Sequence, residues 1–210
     1  VIVSGNVLVP RGLGAMAAMV VTARFLDRID GRWLMGIGLI LLAYAMWEHA
    51  HFTADVGFYT LGWVGVVQGF GLGLVFVPIN TLTFVTLSPE HRTEAAGMFN
   101  FVRNVGASIG VSIVIGTLIR NTQINHEELV GHITPFNEMI RAPFLPEAWQ
   151  LSDVAGLLAL NNEITRQAST IAFANDFKLL MIVALLNIPI LFFFRLPKKD
   201  LKTSNIEKAE

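Results

Sequence analysis

The sequence predicts an all-α protein, a polytopic membrane helix bundle of about five transmembrane helices. Three observations carry that prediction. Only 15% of the 210 residues are charged, where soluble domains carry about 25%. The mean hydropathy is positive, +0.58, and a globule this small has too little interior to hide so much apolar surface. Finally, no residue from 56 to 89 carries a formal charge, a run longer than the ~20 residues that one membrane-crossing helix needs.

Taken in order, the first expected span covers residues 5–25 and ends beside Arg24. The second, 33–48, is short, but Trp33 and Trp47 at its two ends suit the aromatic belts of a bilayer interface. The uncharged run holds the third span, 60–86. The fourth, 96–119, follows the polar connection SPEHRTE, and the fifth, 177–195, is an apolar run framed by Lys178 and Arg195. Residues 120–176 form a long connection between the last two spans. Its first part, with Pro135, Pro143 and Pro146, reads as irregular. After Ser152, a possible N-cap, Val154, Leu157, Leu158, Ile164, Ala168 and Ile171 fall near helical spacing. Two forms are open for that segment: an amphipathic helix along the interface, or an extension of the last span packed on its neighbours.

Arginine and lysine set the orientation. Arg24, Arg28 and Arg32 crowd the first connection, and Arg195, Lys198, Lys199, Lys202 and Lys208 crowd the end, whereas EHAHFTADVG has neither. By the positive-inside rule, the first connection, residues 88–95 and the tail 197–210 are cytoplasmic, and 120–176 lies outside. The membrane region is then 1–196. Val1 opens the chain with neither an initiator Met nor a signal-peptide region, so a longer membrane protein is expected, of which this is the carboxy-terminal part.

Several chemistries are excluded. Without cysteine there is no disulfide framework, thiol nucleophile or Cys-type metal site. A net charge of −1 argues against a broadly basic nucleic-acid binder. His126-Glu127-Glu128 begins like HExxH, but Val130 occupies the second ligand position. No cofactor, metal or enzyme motif is expected.

Polar groups inside spans are costly and therefore candidate functional groups. Arg11 and Arg103 are the two intramembrane charges. Asn100, Arg103 and Asn104 lie at i, i+3 and i+4, so they share one helix face. Gln68 and Asn80 give the third span a similar polar series, and Pro78 removes one backbone donor there, which favours a kink. Gly106 and Gly110 form a small-xxx-small pair suited to close helix contact. The bland reading of all these residues is helix packing and headgroup snorkelling. No Asp or Glu lies in the middle of an expected span, so a proton site, if the protein uses one, is expected outside this chain.

The segments VLVPRGLGAM, LSPEHRTEAAG and NFVRNVGASIG, taken together, resemble the last five spans of the EmrB/QacA-type fourteen-span drug:proton antiporters of the major facilitator superfamily. The likeness runs through the long connection, at ITPFN, into the last span. It implies a carrier in the bacterial inner (plasma) membrane, exporting hydrophobic drugs against protons by alternating access. Partners implied are the amino-terminal half of the same transporter and, in Gram-negative relatives, a periplasmic adaptor and an outer-membrane channel. Asp27, Arg28, Gly31 and Arg32 match the superfamily's cytoplasmic gate motif, with Asp30 as an added residue and Ala23 in place of the leading Gly. Gln68, Asn80, Asn100, Arg103 and Asn104 are then the expected substrate pathway. Rival expectations are a superfamily carrier of another metabolite or siderophore, and a non-transporting membrane subunit.

Overall fold

A computed structural model describes residues 2–26, 28–53, 56–85, 87–134 and 153–193, with side chains outside 2–7, 85 and 193. The described residues form five helices: α1 (Ile2–Phe25), α2 (Gly31–Ala50), α3 (Phe58–Val85), α4 (Arg92–Gly131) and α5 (Val154–Phe193). A 3₁₀ turn at Pro89–His91 leads into α4. All five are long and apolar enough to cross a membrane. Helix is the form such segments must take, because within hydrocarbon every backbone N–H and C=O needs a partner inside the chain.

The helices pack as a row of neighbours, α1 on α3, α3 on α2, α2 on α5 and α5 on α4. Close backbone approach makes the first two seams. A Cβ on Gly14 would overlap the Val66 carbonyl, and one on Gly69 the Arg11 carbonyl. Across α2 and α3, a Cβ on Gly38 would stand 2.8 Å from the Gly71 oxygen, and one on Gly71 2.9 Å from the Gly38 oxygen. Gly69 and Gly71, two residues apart, thus serve opposite neighbours. In lipid, which solvates apolar side chains as well as a partner helix does, such close contact is a main source of helix association. Ala18, Leu34 and Leu74 are buried between the three helices.

Ring contacts set the register elsewhere. Trp33 meets Phe192 edge-on at 6.1 Å and His49 meets Phe177 at 4.8 Å, so α2 and α5 run antiparallel. The α1–α2 turn, the α3–α4 turn and the end of α5 therefore gather at one end of the bundle.

At the other end, α4 and α5 continue far beyond their neighbours. Forty residues of helix rise about 60 Å, twice a ~30 Å hydrocarbon core. Residues 120–131 and 154–176 are these continuations, paired with each other. Asn125 Nδ2 donates to the Ala168 carbonyl at 3.4 Å, and His126 Nε2 lies 3.1 Å from Asn161 Oδ1. The segment from Val154 is accordingly the extension of the last span, and α5 has no break that would let it lie apart along an interface. Pro135, Pro143, Pro146, Ser152 and the 197–210 tail lie outside the described residues.

Candidate transport site

Asn80, Thr81 and Thr83 of α3 are engaged locally. Asn80 Nδ2 donates to the Phe76 carbonyl at 2.8 Å, Thr81 Oγ1 to Val77 at 3.0 Å and Thr83 Oγ1 to Ile79 at 2.7 Å. Each bond reaches back one turn along the same helix, which is how hydroxyls and amides are satisfied in an apolar medium. Gln68 and Asn80 are half-buried, and the Pro78 ring is fully buried within an unbroken α3.

Two side-chain contacts link α4 to α3. The Arg103 guanidinium carbon lies 4.8 Å from the centre of the Phe76 ring, and Phe84 meets Phe99 edge-on at 5.8 Å. A cation over an aromatic face is attracted by the ring quadrupole, so Arg103 has a partner that needs no carboxylate. Asn100 and Asn104 share its face and are exposed, each without a hydrogen bond to another described residue. No residue of α4 is buried at all. Arg11 on α1 is also exposed. Its backbone carbonyl, against Gly69, is what meets α3. Arg11 and Arg103, the two charges expected inside spans, therefore sit on separate helices, and neither makes an ion pair among the described residues. A Cβ on Gly106 or Gly110 would meet no described residue within 4 Å. A small-xxx-small contact among the described residues is Gly69-xxx-Gly73 of α3 against Arg11, Ala15 and Ala18 of α1.

A cavity of about 490 Å³ lies between α2, α3 and α5, toward the end of the bundle that holds the α1–α2 turn. Leu39, Ile79 and Leu191 are among its apolar walls, with Arg32, Thr83 and Asn187 as its polar lining. Thr83 and Asn187 both donate to their own helices, Asn187 Nδ2 to the Val183 carbonyl at 2.7 Å. What remains open to a guest is the Asn187 carbonyl oxygen and the Arg32 guanidinium. Such a lining accepts an apolar body with one hydrogen-bonding or acidic end. Asn187 was not among the expected pathway residues. Its signal was present, since it is the lone amide in LLMIVALLNIPILFFF.

Of the expected gate residues, Arg28 is exposed in the α1–α2 turn and Arg32 is half-buried at the cavity. Gly31 is buried: a Cβ there would stand 2.9 Å from Leu82 Cδ1 and 3.6 Å from Pro78 Cβ, so this turn is pressed against the end of α3. Asp27 lies outside the described residues.

Residues 3–119 match the family profile described as Major Facilitator Superfamily. The chain belongs to that superfamily. It is 26% identical over 195 residues to the fatty acid resistance protein FarB of Neisseria gonorrhoeae, covering 92% of this chain and 38% of that protein. It is 27% identical over 190 residues to the multidrug export protein EmrB of Haemophilus influenzae, covering 90% and 37%. To the probable multidrug resistance protein EmrY of Escherichia coli it is 25% identical over 196 residues, covering 92% and 38%. The chain thus spans well under half the length of these relatives. Superfamily membership and five long apolar helices make it a multi-pass membrane protein, and the expected likeness to EmrB-like carriers holds.

Proposed function

We propose that this chain is the carboxy-terminal part of a carrier that exports hydrophobic drugs in exchange for protons, by alternating access. Superfamily membership and the multidrug export proteins among its relatives support that reading. Within the fold, the observation that carries it is α4, a long apolar helix with no buried residue and with Asn100, Arg103 and Asn104 open along one face. A helix that only braced a bundle would bury its polar stripe against a neighbour.

In this proposal Gln68, Asn80, Asn100, Arg103 and Asn104 border the substrate path, and Arg28, Gly31 and Arg32 belong to the inner gate. The protein lies in the bacterial inner membrane with its carboxy terminus in the cytoplasm. The amino-terminal half of the same transporter completes the path, and a periplasmic adaptor with an outer-membrane channel receives the drug. The test is efflux of a fluorescent lipophilic dye by the full-length protein in a drug-sensitive bacterium. Export that stops when a protonophore collapses the gradient is expected; no export of any lipophilic dye would reject the reading.

One observation favours a second reading, a superfamily carrier of a different compound. Arg32 at an otherwise apolar cavity suits an amphipathic acid, and one relative carries the name fatty acid resistance protein. Competition of dye efflux by long-chain acids separates the two.

A further inference from the structure

The cavity between α2, α3 and α5 is cationic at one end and apolar along its walls. Arg32, the second residue of α2, stands at that end, half-buried. Among the described residues its guanidinium has neither a hydrogen bond nor an ion pair. Leu39 lines the cavity seven residues further along α2, so the walls run about 10 Å inward from the arginine. The two ring contacts that set the α2–α5 register, Trp33 on Phe192 and His49 on Phe177, put Asn187 level with Leu39. Met35, Val75, Ile79 and Leu191 form the apolar wall between the two levels.

This shape has a preferred guest. A half-buried guanidinium beside hydrocarbon-like walls is best satisfied by an anion, which its planar fork grips through two parallel donors. The exposed acids at this end of the bundle, Asp30, Glu90 and Glu94, form no ion pair with it. Arg32 also lies at the start of a helix long enough to cross a membrane, the level of a headgroup layer. The lining residues on α2 are buried or half-buried, whereas Ile79 of α3 and Asn187 and Ile190 of α5 are exposed. The slot is thus backed by α2 and open along its length between α3 and α5, so a chain can enter sideways from the bilayer. None of Gln68, Asn80, Asn100, Arg103 and Asn104 lines it, and neither does any residue of α4.

We propose that this cavity is a binding site for an anionic phospholipid of the adjoining leaflet. The phosphate sits on Arg32, and one acyl chain lies along the helices past Ile79 toward Leu39 and Asn187. Basic pockets between membrane helices are where anionic headgroups are held. The lipid is resident and is not cargo: it joins α2, α3 and α5 where they leave space, next to the α1–α2 turn that Gly31 presses against the end of α3. The site goes beyond the transport reading, which puts the drug along α3 and α4. An amphipathic acid, the cargo of the second reading, would compete for the same place.

The test is native mass spectrometry of the lipid-depleted full-length protein, titrated with phosphatidylglycerol or with phosphatidylethanolamine of the same chains. Wild type is expected to retain one phosphatidylglycerol and to hold phosphatidylethanolamine much more weakly. Arg32→Ala should weaken phosphatidylglycerol binding roughly tenfold, the loss of a charge-assisted hydrogen bond. Arg24→Ala, at the same end of the bundle but outside the cavity, should leave it unchanged. Ile79→Trp should block the slot with Arg32 still in place; Ile79 is exposed, so the larger ring has room, and an unchanged melting temperature checks the fold. Equal retention of the two lipids, or full phosphatidylglycerol binding by both Arg32→Ala and Ile79→Trp, overturns the proposal. So does oleate that displaces the lipid and is then exported, since the cavity would then hold cargo. Binding is read without transport, so a protein that exports no dye loses the transport reading while the lipid site is still decided.

Discussion

Gly69 of α3 lies so close to Arg11 of α1 that a methyl group on Gly69 would overlap the Arg11 carbonyl oxygen. Arg11 draws notice in the sequence as a charge inside a span. In the fold its backbone forms a helix seam while its side chain is exposed. The same seam repeats one turn on, where a Cβ on Gly73 would stand 2.5 Å from the Ala18 Cβ.

Gly69→Leu should therefore pry α1 from α3. Overpacking a tight contact costs about 1–3 kcal/mol, so a clear fall in the melting temperature of the purified protein is expected. Gly110→Ala adds its methyl to open space and should leave the melting temperature in place. Equal melting temperatures for Gly69→Leu and wild type would mean the seam is not a stability determinant.

Arg103 and Phe76 should act as a pair. A cation over an aromatic ring contributes about 0.5–2 kcal/mol. Arg103→Ala should cut dye efflux without changing membrane abundance, and Phe76→Leu should repeat part of the loss. In the double variant the two losses should not add. Full efflux by Arg103→Ala would reduce Arg103 to a packing role.

Arg32 and Arg28 should separate although they share one basic cluster. Arg32 lines the cavity and is half-buried, while Arg28 is exposed. Arg32→Ala should lower transport roughly tenfold, the equivalent of about 1.4 kcal/mol. Arg28→Ala should lower it less, since an exposed charge is well screened. Initial rates of dye efflux at matched abundance decide the order, and a larger loss at Arg28 would contradict the assignment.

The absence of cysteine from these residues allows a direct test of orientation. A single cysteine at Glu128→Cys should react with a membrane-impermeant maleimide in intact cells. One at Glu90→Cys should react only after permeabilisation. The reverse pattern would invert the topology.

How much was legible varied with the kind of interaction. The five apolar helices were, because the capacity to cross a bilayer is a property of one segment's length and polarity. Helices α1, α2 and α3 begin and end within three residues of the expected spans. Helices α4 and α5 do not, since a more polar stretch of helix leaves little hydropathy signal and their continuations are held by contact with each other. The basic cluster of Arg24, Arg28 and Arg32 is visible in the sequence as charge, but the cavity that Arg32 lines with Ile79 and Asn187 joins residues of three helices and has no local signature.

Gly69 and Gly106 mark the boundary most clearly. Each begins a small-xxx-small pair in an apolar span, and nothing local to either sequence distinguishes them. Only α1 lying beside α3 gives Gly69 a backbone to touch, while a Cβ on Gly106 would meet no described residue within 4 Å. Asp176 follows the same rule. Composition and hydropathy determined by themselves that this is an α-helical membrane protein of about five spans, because each span must satisfy its own backbone whatever surrounds it. Burial of a single side chain is decided by which helices meet, and only the tertiary structure buries the Asp176 side chain of α5, leaving it 4% exposed.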